Sequence, residues 1–243
     1  MKKTLLISGL LLALTASVAS AGVNLAWTNC HGGGGVENVA FACNTNTGTA
    51  GVLTSSFVAS GGQQVAAFEF VIDIESAGAT LPAWWTIGAA PNCRAANTVT
   101  INTNFTTAVG CADPWGNTVG LSSVTVLAGF SGPNTARIRG GGSVPASAPV
   151  PVEAALEYYG FQLIMNRSKT TGLGACAGCL EPVCLVLNEI TLFNEVGAKT
   201  SISSPESRNF VTWQGGQIGD PAGCPAATPT TKTTWGKIKS IYR

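Results

Sequence analysis

Eight cysteines, all of them downstream of an export leader, constrain this chain more than any other feature. Met1-Lys2-Lys3 gives a short positive start, Leu5 to Ala16 an apolar run, and Ala19-Ser20-Ala21 a small-residue cleavage site before Gly22. That order reads as a signal peptide over residues 1–21. The apolar run is shorter than the roughly 20 residues that span a bilayer, and no later stretch is longer, so no transmembrane segment is expected. Sec-type export takes such a chain to the extracellular space or cell surface, with the periplasm as the alternative. In those compartments cysteines oxidise.

An even number of cysteines in an exported chain reads as a disulfide framework. The set is Cys30, Cys43, Cys93, Cys111, Cys176, Cys179, Cys184 and Cys224. Proximity favours Cys30 with Cys43 and Cys93 with Cys111, leaving the last four to pair among themselves. Cys176-Ala-Gly-Cys179 has two further readings, a redox pair or half of a zinc site completed by Cys184 and Cys224. Leu180 after Cys179 excludes haem attachment, and strands on both sides disfavour a redox centre. Structural bridging is the expected role, with no metal and no cofactor.

Charge excludes another class. The chain carries 13 basic and 12 acidic residues, and loss of Lys2 and Lys3 with the leader leaves it nearly neutral. Nucleic-acid binding needs a basic footprint that is missing here.

Alternation supplies the fold. Phe68, Phe70, Ile72 and Ile74 share one side of a strand, with Glu69 and Asp73 on the other. Val124, Val126, Ala128 and Phe130 repeat the pattern, as do Tyr159, Phe161, Leu163 and Met165 opposite Gln162. In 183–193 the alternation breaks at Asn188, which marks a bulge or a hydrogen-bonded core position. Further strands are expected at 23–28, 51–59, 97–104, 134–139 and 209–214, between Gly, Pro and Asn clusters. Strands with one apolar face must hide those faces against each other. The expected fold is all-β: a single antiparallel β-sandwich of jelly-roll type over residues 22–220, stapled by disulfides. The Gly- and Pro-rich stretch 140–152 reads as a long crossing loop, and 221–233 as a Pro/Thr-rich linker.

The strand order resembles the cohesin-like β-sandwich. Ala67-Phe68-Glu69-Phe70-Val71-Ile72-Asp73 looks like the early strand of that family, and Tyr159 to Ile164 with Leu185 to Phe193 like its closing strands. The resemblance spans roughly residues 50–195. It implies the fold and no binding residues, because the cysteines and the insertions around Trp84-Trp85 and Trp115 depart from the family pattern.

Candidate sites are few. Trp84, Trp85 and Trp115 lie in turn-rich contexts, where exposed rings would stack on a glycan or anchor a partner protein and buried ones would close the core. Glu69, Asp73 and Glu75 project from one strand face at about 7 Å per two residues. Such a row suits a cation, a sugar or plain solvation. Arg137 and Arg139 alternate with Ile138 and read as solvent-facing charges that guard a sheet edge. His31, the only histidine, stands before four glycines without a nucleophile frame. No catalytic residues are expected.

The sharpest anomaly is the tag at 234–243, with Trp235, Gly236, Lys237, Ile238, Lys239, Ile241, Tyr242 and Arg243. It resembles the W-G-x-(I/V)-K-x-(I/L)-Y-R tails of uncharacterised exported bacterial proteins. Its apolar residues recur at three to four positions, yet so short a segment forms no stable helix alone. A receptor or surface must order it. The functional expectation is an exported, non-enzymatic structural, adhesive or surface-displayed protein whose tail engages a secretion or attachment receptor. A carbohydrate-binding module using the tryptophans is the alternative, and a hydrolase comes third.

Overall fold

The computed structural model describes residues 21–215. Residues 1–20 of the signal peptide expected over 1–21, the expected linker at 221–233 and the tag at 234–243 lie outside the described residues. Thirteen strands follow one another: β1 (Gly22–Trp27), β2 (Asn38–Val39), β3 (Thr49–Val58), β4 (Gln63–Val65), β5 (Ala67–Ser76), β6 (Val99–Asn102), β7 (Leu121–Ala128), β8 (Thr135–Ser143), β9 (Val150–Val152), β10 (Glu157–Asn166), β11 (Val183–Phe193), β12 (Lys199–Ile202) and β13 (Phe210–Trp213). The only helical elements among the described residues are two single 3-10 turns, at Ala83–Trp85 and Ala96–Thr98.

The strands form a sandwich. One sheet has the order β1-β3-β10-β6, and the other β2-β13-β11-β5-β8-β7, with β12 also paired to β11. β4 and β9 make a separate ribbon. Pairing is antiparallel except for the short parallel contact of β13 with β2. The alternation read from the sequence sets the layers: Phe68, Phe70, Ile72 and Ile74 of β5 are buried against Phe161, Leu163 and Met165 of β10. Phe70 and Phe161 stack across the interface with ring centroids 3.6 Å apart. The break at Asn188 is a bulge, where the β11–β5 register shifts between Leu187 and Glu189.

The glycine-rich stretch departs from expectation. Gly140 to Ser143 continue β8 rather than opening a loop, and Val150–Val152 form β9. Glycine is a poor strand former, but here the neighbouring rings require it. A Cβ on Gly140 would lie 2.6 Å from Phe70 Cζ, and one on Gly142 would lie 2.9 Å from Phe68 Cε1. The aromatic core of β5 occupies the space that side chains on β8 would need. Consequently β8 is interior, between β5 and β7, so Arg137 and Arg139 do not guard an edge.

The free edge of β1 is covered by the segment 204–208. Val23 N–H donates to Ser204 O at 2.9 Å and Leu25 N–H to Arg208 O at 2.9 Å, while Glu206 N–H donates to Val23 O at 3.1 Å. Gly22 admits this approach, since a Cβ there would overlap the Glu206 backbone.

The disulfides overturn every pairing suggested by proximity. Cys30 joins Cys111, Cys43 joins Cys179 and Cys93 joins Cys176, across separations of 81, 136 and 83 residues. Two bridges thus converge on the loop between β10 and β11. Cys184 is disulfide-bonded as well, and Cys224 lies outside the described residues. Nearness in sequence failed as a guide because strands adjacent in a sandwich are often distant in the chain.

Candidate functional site

A trough of about 1260 Å³ runs across the outward face of the seven-stranded sheet. Its floor is built by alternation. Residues of β5 that do not enter the core, Ala67, Glu69 and Val71, face outward beside Ser143, Gly141 and Arg139 of β8 in register. β7 adds Ser123 opposite Gly141 and Thr125 opposite Arg139. On the other flank β11 places Glu189 beside Val71 and Thr191 beside Glu69. The turn from β11 to β12, with Glu195 and Lys199, forms one wall.

Its polar groups fall into two kinds. Glu189 is held in place: Thr191 Oγ1 donates to its Oε1 at 2.8 Å and also lies 3.2 Å from Ser201 Oγ. Hydrogen bonds from Ser201 and Thr191, with nearby Lys199, keep its carboxyl below the usual carboxylate range. Glu69 and Arg139, in contrast, sit on diagonal positions of adjacent strands without an ion pair between them. Beyond Arg139 the face is closed by a tight cluster. Arg137 grips Asp73 with two hydrogen bonds, Nε to Oδ1 at 2.6 Å and Nη2 to Oδ2 at 2.7 Å. Asn188 Nδ2 donates to the same Asp73 Oδ2 at 2.7 Å, and Phe130 lies under the Arg137 guanidinium at 3.8 Å. Asp73 is therefore occupied, and the row Glu69, Asp73, Glu75 does not act as one carboxylate set.

The tryptophans are not binding surfaces. Trp84 and Trp85 are 0% exposed and Trp115 is 1% exposed. Trp84 stacks on Trp213 at 4.9 Å, and Trp85 meets Trp213 edge-on at 5.3 Å. Trp115 Nε1 donates to Gly160 O at 2.8 Å, filling the irregular pairing of β10 with β3. A ring enclosed on both faces cannot stack on a glycan. Arg94 belongs to the same interior: it lies 3.7 Å above the Trp84 ring and donates to Asn166 O at 2.5 Å. Burial without a carboxylate partner pushes its pKa down to about 10.

His31 stands in the turn beside Cys30, without a hydrogen-bonded nucleophile among the described residues. The carboxylates nearest that turn are structural. Glu157 accepts from Ser56 Oγ at 2.5 Å, Asn24 Nδ2 at 3.1 Å and Gly32 N–H at 3.0 Å. The same Asn24 amide donates to Glu206 at 3.1 Å. This network ties β1, β3 and β10 to the segment that covers the β1 edge. Cys176 and Cys179 are committed to separate bridges, which removes both the redox and the zinc reading.

Alternation marked Glu69 and Arg139 as outward residues. Ser123, Thr125, Glu189 and Lys199 went unnoticed because only strand pairing brings them together. Comparisons of the chain with protein-family models, with curated proteins and with solved structures find no match.

Proposed function

We propose that this chain is an exported, non-enzymatic β-sandwich protein with a structural or adhesive role, displayed at the cell surface or released from it. The tag at 234–243 directs its sorting or attachment through a receptor. The observation that supports this reading most strongly is the disulfide frame. Three bridges fasten separate loops to the sandwich, and such frames form and persist in oxidising compartments. Among the described residues no helix is long and apolar enough to cross a membrane.

Deletion of Thr234 to Arg243 in the native host tests the reading. The truncated chain should keep its thermal unfolding midpoint and move between the surface, periplasmic and medium fractions. Identical fractionation of the truncated and full-length proteins rejects the role given to the tag.

A further inference from the structure

The geometry points to the trough on the outward face of the seven-stranded sheet as a binding site for a segment of neutral polysaccharide. This deepens the adhesive reading above and rests on it. At about 1260 Å³ the trough exceeds the roughly 300–1,000 Å³ of sites that enclose a small molecule, which favours an extended ligand. The floor strands β5, β8 and β11 are each paired on both sides, so strand addition by a peptide is open only at the rim, where β7 ends the sheet. Peptide recognition by strand addition is thereby removed from the floor of the trough.

The chemistry of the lining selects the ligand. Glu69 and Arg139 carry planar groups with two acceptors and a fork of donors, without a side-chain partner among the described residues and suited to adjacent sugar hydroxyls. Glu189, fixed by Thr191 and already ionised, supplies a second oriented acceptor. Between them Gly141 has no room for a Cβ against the Phe68 carbonyl, so the floor stays low where a sugar ring would lie. Leu121, 76% exposed at the end of β7, offers apolar contact for the C–H face of a ring. Charge excludes a polyanion: Glu69, Glu189 and Glu195 outnumber Arg139 and Lys199 along the trough.

The test uses the full-length exported protein, oxidised, in affinity electrophoresis through gels containing soluble β-glucan, xylan, mannan or dextran sulfate. The inference expects retardation by at least one of the three neutral polymers. Retardation should weaken at least tenfold in both Glu69→Ala and Arg139→Ala and persist in Glu75→Ala, a control on the same strand outside the trough. Both targets are on the surface, and circular dichroism verifies their folding. Absence of retardation by all three neutral polymers overturns the site, as does binding unchanged in both trough variants or retardation by dextran sulfate alone. The tag-deletion experiment reads location rather than binding, so the two proposals fail separately.

Discussion

The glycines of β8 make a prediction whose sign separates packing from propensity. Gly142 faces the core, and a Cβ there would meet Phe68 Cε1 at 2.9 Å, Val119 Cγ1 at 3.0 Å and Phe68 Cζ at 3.1 Å. On propensity alone Gly142→Ala stabilises a strand interior by roughly 0.5–1 kcal/mol. Overpacking a full core costs about 1–3 kcal/mol. The packing effect is the larger, so the variant should lose about 1–2 kcal/mol net. At about 2–4 °C per kcal/mol for a chain of this size, its melting midpoint falls by about 2–8 °C. Because the obstructing atoms at Gly142 belong to side chains, shrinking one of them relieves the clash. Phe68→Leu alone costs about 1–2 kcal/mol in lost contact. In the Gly142→Ala, Phe68→Leu double variant about 1 kcal/mol of that combined loss should return. Gly140 is the contrast. Its added Cβ would lie 2.6 Å from the Ser123 backbone oxygen as well as from Phe70, so Phe70→Leu should not rescue Gly140→Ala. Urea unfolding of the oxidised proteins gives the four free energies of each cycle. A stabilised Gly142→Ala, or additivity within about 0.3 kcal/mol in its cycle, refutes the account of why β8 is glycine-rich.

Three further outcomes follow from the interior and the bridges. Proteolytic mapping without reduction should recover Cys30–Cys111, Cys43–Cys179 and Cys93–Cys176, and Cys43→Ser with Cys179→Ser should lower stability by about 3–5 kcal/mol; a Cys30–Cys43 peptide contradicts the fold. In a Trp235→Phe background the remaining five tryptophans are all buried. Their emission should be blue-shifted and resist iodide until the protein unfolds, whereas strong quenching of the native state would expose at least one ring. Glu189 has a folded pKa below its unfolded value, so its contribution is present above the ordinary carboxylate range and disappears as pH falls through the folded value. Glu189→Gln should therefore show a lower urea midpoint than the parent at pH near 7, with the gap closing at pH near 3; a gap that persists in acid removes the electrostatic explanation.

Much of the sandwich was legible because burial on one face imposes a period of two. Phe68 to Ile74 obeyed it, and so did the interruption at Asn188. Gly140 to Gly142 were misread because the reason for their composition lies on a different strand, in the rings of Phe68 and Phe70. The tryptophans were ambiguous for a similar cause. A ring beside a proline looks alike in sequence whether it faces water or Trp213. The trough was the least legible part, since its residues come from β5, β7, β8, β11 and β12 and no short stretch of chain contains the site.

The connectivity of the bridges also bears on how the protein is made. Under the proposed export, cysteines leave the channel in chain order, and an indiscriminate oxidant would join each newcomer to the nearest thiol already outside. That rule yields Cys30 with Cys43, a pair the native protein does not contain. None of the bridges Cys30–Cys111, Cys43–Cys179 and Cys93–Cys176 joins successive cysteines, and two of them must wait for Cys176 and Cys179. Productive maturation thus depends either on early thiols staying reduced until most of the sandwich has emerged or on an isomerase that reshuffles first-formed bonds. The yield of this protein reports the proofreading capacity of the compartment as much as its oxidising strength.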